Sequence, residues 1–191
     1  VCNIVHRDQL YVNGPIFGGR RAEEEQTREF IASRDPDFRP IGLEHGPDGA
    51  IYLLDMQRAV IEHPDYIPEK VLQHMDVREG ENRGRIYRIV PRDSKAMNVV
   101  RPAALSEAER VIALGHPNPW VRDTAQRLIW ENRSAATSAR VSKHGLVASQ
   151  PEARVRSLCL LDSLGQLFED DLLAALKDSH HGVRQTAVRL A

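Results

Sequence analysis

The side chains in this 191-residue chain that could carry chemistry crowd between Asp37 and Pro91. His63 sits in Ile61-Glu62-His63-Pro64, where Glu62 could set its tautomer indirectly and Pro64 restricts the backbone just after the ring. A histidine so placed is a candidate general base. His6, His45, His63 and His74 lack the spacing of a metal-ligand set, so no metal centre is expected. His180-His181 precede a helical pattern and read as capping-loop residues. No Gly-x-Ser-x-Gly elbow, nucleotide-binding fingerprint or Cys/His catalytic pattern occurs, and the stretch from Asn13 to Arg21 is not a phosphate loop. Cys2 and Cys159 are the only cysteines, and without Cys-x-x-Cys-His the sequence holds no attachment site for c-type haem. Two free buried thiols are expected, rather than a disulfide joining different domains.

Composition narrows the class. With 41% hydrophobic and 28% charged residues the chain is globular, neither disordered nor fibrous, and long enough for one ordinary domain or two small ones. Twenty-six basic against 27 acidic residues leave a net charge of −1, and no basic patch announces a nucleic acid. No apolar run approaches the roughly 20 residues that cross a bilayer. The sequence opens on Val without a signal-peptide pattern and closes in mid-pattern, so a fragment of a longer protein is expected.

The elements that must position these residues change character along the chain. Phe38 to Leu43 alternates as a strand, Gly46-Pro47-Asp48-Gly49 is a turn, and Ala50 to Leu54 is a short apolar strand fit for burial on both faces. Arg85 to Val90 forms the next strand, after Gly84 and before Pro91. Ile4-Val5 is a further strand candidate, and Asn13-Gly14-Pro15 a turn. Arg20 to Glu29 is a charged segment whose run Arg20 to Glu25 reads as a solvated loop or helix face, and Pro68-Glu69 opens a short helix reaching Met75.

After Arg101-Pro102 the pattern becomes helical. Ser106 with Glu109 makes a capping box, Asn118-Pro119 and Pro151 open two more helices, and Gly115 and Gly165 close helices. Val-Arg recurs at Val121-Arg122, Val155-Arg156 and Val183-Arg184, with spacings of 34 and 28 residues that suit a solenoid. That phase expects Val121, Val155 and Val183 at equivalent buried positions. Ala135 to Ser149 departs from the pattern, since Gly145 and several Ser and Thr weaken a helix there. Trp120 and Trp130 are expected to pack.

The words FRPIGL, GPDGAIYLLDM, IEHPDYIP and GRIYRIVP, in that order between Asp37 and Pro91, resemble the closing blades of the membrane-bound dehydrogenase-like propellers of planctomycete and verrucomicrobial multidomain proteins. LGHPNPWVRDTAQRLIWEN and LKDSHHGVRQTAVRLA resemble HEAT repeats of the short PBS-lyase-like kind. The resemblance implies a β + α multidomain fragment, with terminal β-propeller blades over 1–101 and an α-solenoid of HEAT-like repeats over 102–191. It further implies an exported, periplasmic or membrane-associated protein that oxidises a sugar or polyol and passes electrons to a c-type haem domain elsewhere in the polypeptide. Pyrroloquinoline quinone with calcium would follow from the more distant sugar dehydrogenases. The competing implication is a non-catalytic scaffold for glycans or proteins.

The resemblance also selects residues. It turns attention to the inner strand beginning at Phe38, where Arg39 either offers its planar fork to carboxylates or polyol oxygens, or pairs with Asp37 or Asp55 to lock the blade. Asp55, Arg58, Glu62, His63 and Arg85 keep the residue types of the family pattern and are channel candidates by resemblance. Gln57 stands where the family usually has an aromatic residue.

Overall fold

The computed structural model describes residues 3–13, 16–61, 63–95 and 98–191, and the side chain of Pro64 lies outside the description. Glu62, Cys2 and the Gly14-Pro15 turn therefore fall outside the described residues. The architecture is mixed, small antiparallel sheets followed by helices, with no sheet closed into a barrel among the described residues. Two compact units divide it: 1–44 with 50–92, and 45–49 with 93–191.

In the first unit, β1 (Ile4–Val5) pairs with β4 (Ile31–Ala32), and β2 (Asp8–Asn13) pairs with β3 (Ile16–Arg21). A third sheet has the order β5 (Pro40–His45), β6 (Ile51–Asp55), β7 (Arg85–Ile89). The Gly46–Gly49 turn links β5 to β6, with Gly49 N donating to Gly46 O and Gly49 at φ 78°, where glycine carries no Cβ penalty. Antiparallel pairing sets Leu53 opposite Tyr87 and Asp55 opposite Arg85. The core is small: Val5, Phe38 and Leu53 are buried, with Phe30, Ile31 and Ile89 packed against them. Each fully buried side chain of this kind stabilises by about 1.5–3 kcal/mol.

The sequence pattern missed the β2–β3 hairpin, because its alternation gives no buried face: Leu10, Val12 and Phe17 share one exposed side. The charged run from Arg20 also behaves differently from a uniformly solvated face. Glu25 is buried within a 3₁₀ turn, held by Arg7, whose Nη2 lies 2.7 Å from Oε1. Helix α1 (Glu69–Leu72) starts after Pro68 as expected, and its turn bonds continue to Met75.

Among its described residues the second unit contains three helical pairs. Helix α2 (Glu107–Ala113) carries the capping box, with Ser106 N donating to Glu109 Oε2 at 2.8 Å, and α3 (Pro119–Glu131) is capped by Asn118 Oδ1, which accepts from Trp120 N. Within the stretch that departs from the pattern, residues 135–145 are helical, α4 (Ala135–Arg140) widening into a π turn over Val141–Gly145, and 146–149 form the loop that follows. Gly145 is required there, because a Cβ would meet Ser157 Oγ at 2.1 Å. Helices α5 (Pro151–Ser163), α6 (Glu169–Ala175) and α7 (His181–Leu190) complete the pairs. Trp120 packs on the first core cluster of this unit, formed around Val111, Leu114, Val121, Ala125 and Ile129, whereas Trp130 is exposed beside the Arg133 guanidinium. Cys159 is a free, half-buried thiol.

One arginine per pair sets the phase. Arg122 Nη1 donates to the carbonyls of His116 and Pro117, Arg154 Nη1 to those of Ala148 and Ser149, and Arg184 Nη1 to those of Asp178 and Ser179. In each case the acceptors lie six and five residues earlier, on the loop joining the two helices. The equivalent positions are therefore Val121, Ala153 and Val183, all buried. The Val-Arg phase was wrong at its middle member: Val155 is only half-buried, and Arg156 instead reaches Asp123 of α3 at 2.6 Å. The spacing becomes 32 residues from Arg122 to Arg154 and 30 from Arg154 to Arg184, more even than the motif suggested.

Candidate functional site

The first unit gathers its polar residues where β5 begins and β6 ends. Asp55 terminates the apolar run of β6, is buried, and uses Oδ1 to accept from Arg39 N at 2.8 Å and Gln57 N at 2.9 Å. Arg39 O accepts in turn from Met56 N, and Asp37 O from Arg58 N. The carboxylate thus fastens the start of one strand to the end of its neighbour, as a charged acceptor can with two N–H groups.

The Arg39 guanidinium is spent inside the protein. Nη1 donates to Asn3 Oδ1, to Phe38 O and, closely, to Pro36 O, while Nη2 donates to Ala59 O at 3.1 Å. The fork meets main-chain carbonyls and an asparagine rather than Asp37 or Asp55, and the bond to Asp55 is made by the Arg39 N–H instead. Among the described residues Nε is buried without a hydrogen-bond partner, as are Asp55 Oδ2 and Gln57 Oε1.

Gln57 is the residue the sequence undervalued. It is buried at φ 51°, a left-handed conformation uncommon outside glycine, and its Nε2 donates to Asp35 Oδ2 at 3.2 Å. Gly80 allows this: at φ 84°, its absent Cβ would lie 2.0 Å from Gln57 O. The Asp37 N–H, followed by the Gln57 amide, holds the Asp35 carboxyl below the ordinary aspartate range. The spacing Asp35-x-Asp37 is an Asx-turn signal that could have drawn Asp35 into the candidate set.

Among the described candidates, Arg39, Asp55 and Arg85 are brought together, and Arg58 and His63 are not. Arg85 lies across the ladder from Asp55, with Nη1 3.1 Å from Tyr87 Oη and 3.7 Å from Asp35 Oδ2. Arg58 turns its side chain to Arg78 O at 3.3 Å. His63 is exposed, its Nδ1 accepting from Asp65 N at 3.4 Å, and its ring meets Tyr66 edge-on. The tautomer partner proposed for it, Glu62, is outside the described residues. A groove of about 480 Å³ in this unit is lined mainly by Ile31, Phe38, Leu53, Tyr87 and Ile89, with Arg88 as its one charged lining residue and without Arg39, Arg58 or Arg85. Such a lining suits apolar or aromatic surface better than sugar hydroxyls.

Asp55 Oδ1 is committed to two N–H groups, and the Arg39 and Arg85 cations act on Asp35, which leaves Asp55 Oδ2 and Gln57 Oε1 as the buried oxygens here without a hydrogen-bond partner among the described residues. Haem attachment finds no Cys-x-x-Cys-His in the sequence.

Small antiparallel sheets locked by a buried aspartate, followed by stacked helical pairs, define the class of this chain. Residues 1–93 match the family model described as a domain of unknown function (DUF7133), and the match ends where the first unit ends. No curated protein and no solved structure matches the chain. No helix among the described residues is long and apolar enough to cross a membrane.

Proposed function

We propose that this chain is a binding and spacing module: the closing blades of a dehydrogenase-like propeller over 1–101, joined to HEAT-like repeats over 102–191, serving an exported protein as a scaffold for glycans or proteins. The observation that carries this reading is the fate of Arg39, whose two terminal nitrogens serve main-chain carbonyls and Asn3. A guanidinium so engaged positions backbone and does not wait for substrate. The repeated Arg122, Arg154 and Arg184 clasps belong to the same economy of arginines as braces.

A second reading, in which the whole protein oxidises a sugar or polyol and passes the electrons to a c-type haem domain, draws support from the unpartnered Arg39 Nε, Asp55 Oδ2 and Gln57 Oε1. One experiment separates them. The purified chain and its full-length parent are passed over immobilised glycans and assayed for sugar-dependent dye reduction, with and without added quinone and calcium. Retention without turnover is expected. Dye reduction by the parent that Arg39→Gln abolishes while the thermal midpoint stays unchanged would overturn the scaffold reading.

A further inference from the structure

The contact of the third helical pair on the second shows what a helical pair needs in order to be received. Leu158 of α5 is fully buried against Ala175, Val183 and Ala187 of the third pair, and Leu146 packs against the same cluster. Beside this apolar contact lies a polar one. Arg154, having given Nη1 to its own loop, turns Nε and Nη2 to the Asp178 carboxylate of the next pair at 2.7 and 2.9 Å. Both partners are 14% exposed, and the guanidinium holds the Asp178 carboxyl below its ordinary range. A bidentate pair of this geometry fixes register as well as adding attraction.

Shifted by one repeat, every part of that receiving face recurs on the third pair. Leu158 corresponds to Val188, which is 67% exposed, and Leu146 to Leu176, 38% exposed, with Leu173 beside it on α6 at 47%. Arg154 corresponds to Arg184, which makes the same two bonds to its own loop through Nη1. Its side chain is exposed where that of Arg154 is half-buried. Apolar residues and an arginine fork thus occur in the arrangement that receives a helical pair one repeat earlier.

We propose that the outer face of α6 and α7 is a docking site for a further antiparallel helical pair whose linking loop carries an aspartate, the carboxylate seating on Arg184 and the apolar side chains on Val188 and Leu176. Charge complementarity and the internal precedent select this occupant over a flat apolar partner. The inference rests on the repeat geometry of the second unit and is independent of the scaffold function.

The test extends the whole chain by a second copy of residues 162–191 placed directly after Ala191, which keeps the repeat register and presents the copied aspartate one repeat beyond Asp178. Amide hydrogen exchange of α7 is followed with and without the extension. Exchange should slow by about tenfold or more. Arg184→Gln should remove most of that protection, Asn at the copied aspartate should do the same, and the double change should cost no more than either alone. An extension that stays unfolded, or α7 protection indifferent to Arg184, overturns the proposal. Sedimentation of the unextended chain supplies the second measurement: a monomer is expected. A dimer dispersed by Val188→Asp would assign the face to a second copy and overturn the helical-pair occupant.

Discussion

Replacing Ala148 by aspartate should stabilise the second unit. Arg122, Arg154 and Arg184 hold their loops in the same way, yet among the described residues only Arg154 finds a carboxylate, Asp178, for its Nε. Arg122 Nε is buried without a partner among the described residues, and the residue standing where Asp178 would stand relative to it is Ala148, half-buried. An unsatisfied buried donor costs about 1–3 kcal/mol. Against this stand the desolvation of a new half-buried carboxylate and the loss of a little packing on the first core cluster, together about 1 kcal/mol. The balance is a gain of about 1 kcal/mol, or roughly 2–4 °C in melting temperature for a chain of this size. The aspartate would also offer an acceptor to Gln150 N, as Asp178 Oδ1 does to His180 N at 2.7 Å. Chemical and thermal unfolding at pH 7 measure the gain, and a double-mutant cycle with Arg122→Gln assigns it. A neutral or destabilising Ala148→Asp, or a gain that survives Arg122→Gln, would refute the repeat equivalence on which the reasoning depends.

Ala153→Asp should destabilise by about 3 kcal/mol or more, because it buries an unpaired charge, while Val155→Asp should cost only about 1 kcal/mol; equal denaturation midpoints for the two variants would restore the discarded phase. Gly80→Ala should cost about 2–4 kcal/mol through its positive φ and the collision with Gln57 O, read by urea unfolding of the first unit, and a wild-type midpoint would count against the Gln57 conformation. Asp178 has a depressed folded pKa caused first by Arg154, so its contribution is fully present above the unfolded value near ~3.9 and is lost as pH falls through the folded value. Stability measured from pH 6 down to pH 2 should therefore fall less steeply in Arg154→Gln than in the wild type; identical slopes would argue against the coupling.

The helical half was legible because its signals are local. Ser106 with Glu109, Asn118-Pro119 and Pro151 satisfy orphan N–H groups or preset φ within one turn, and each opens a helix where expected. The repeat phase was not legible from Val-Arg alone, since both Arg154 and Arg156 follow small or branched apolar residues. Only the bonds to loop carbonyls distinguish the brace from the Asp123 partner. In the first half, the GPDG turn and the apolar run ahead of Asp55 located β5 and β6. The β2–β3 hairpin, with no buried face to impose alternation, left no pattern to read. The cluster itself was half legible: residue type pointed to Arg39, Asp55 and Arg85. The contributions of Asn3 and Asp35 arise from chain separations of up to 36 residues that no spacing rule reaches.

The π turn at the end of α4 bears on how such a stack changes length over evolution. Helix α4 and its π turn comprise six and five residues, where α2 and α6 have seven each. Four added residues turn a helix about 40° beyond one full revolution, at about 100° per residue, enough to swing an inward side chain toward its flank. The widened turn, closed by Leu146 N on Val141 O, unwinds that excess, and Leu146 still packs between both cores. Insertions of about a whole turn are thus tolerated between the caps, with the mismatch absorbed at a single glycine-bearing site. Descendants of this repeat can differ in helix length while keeping the same neighbours.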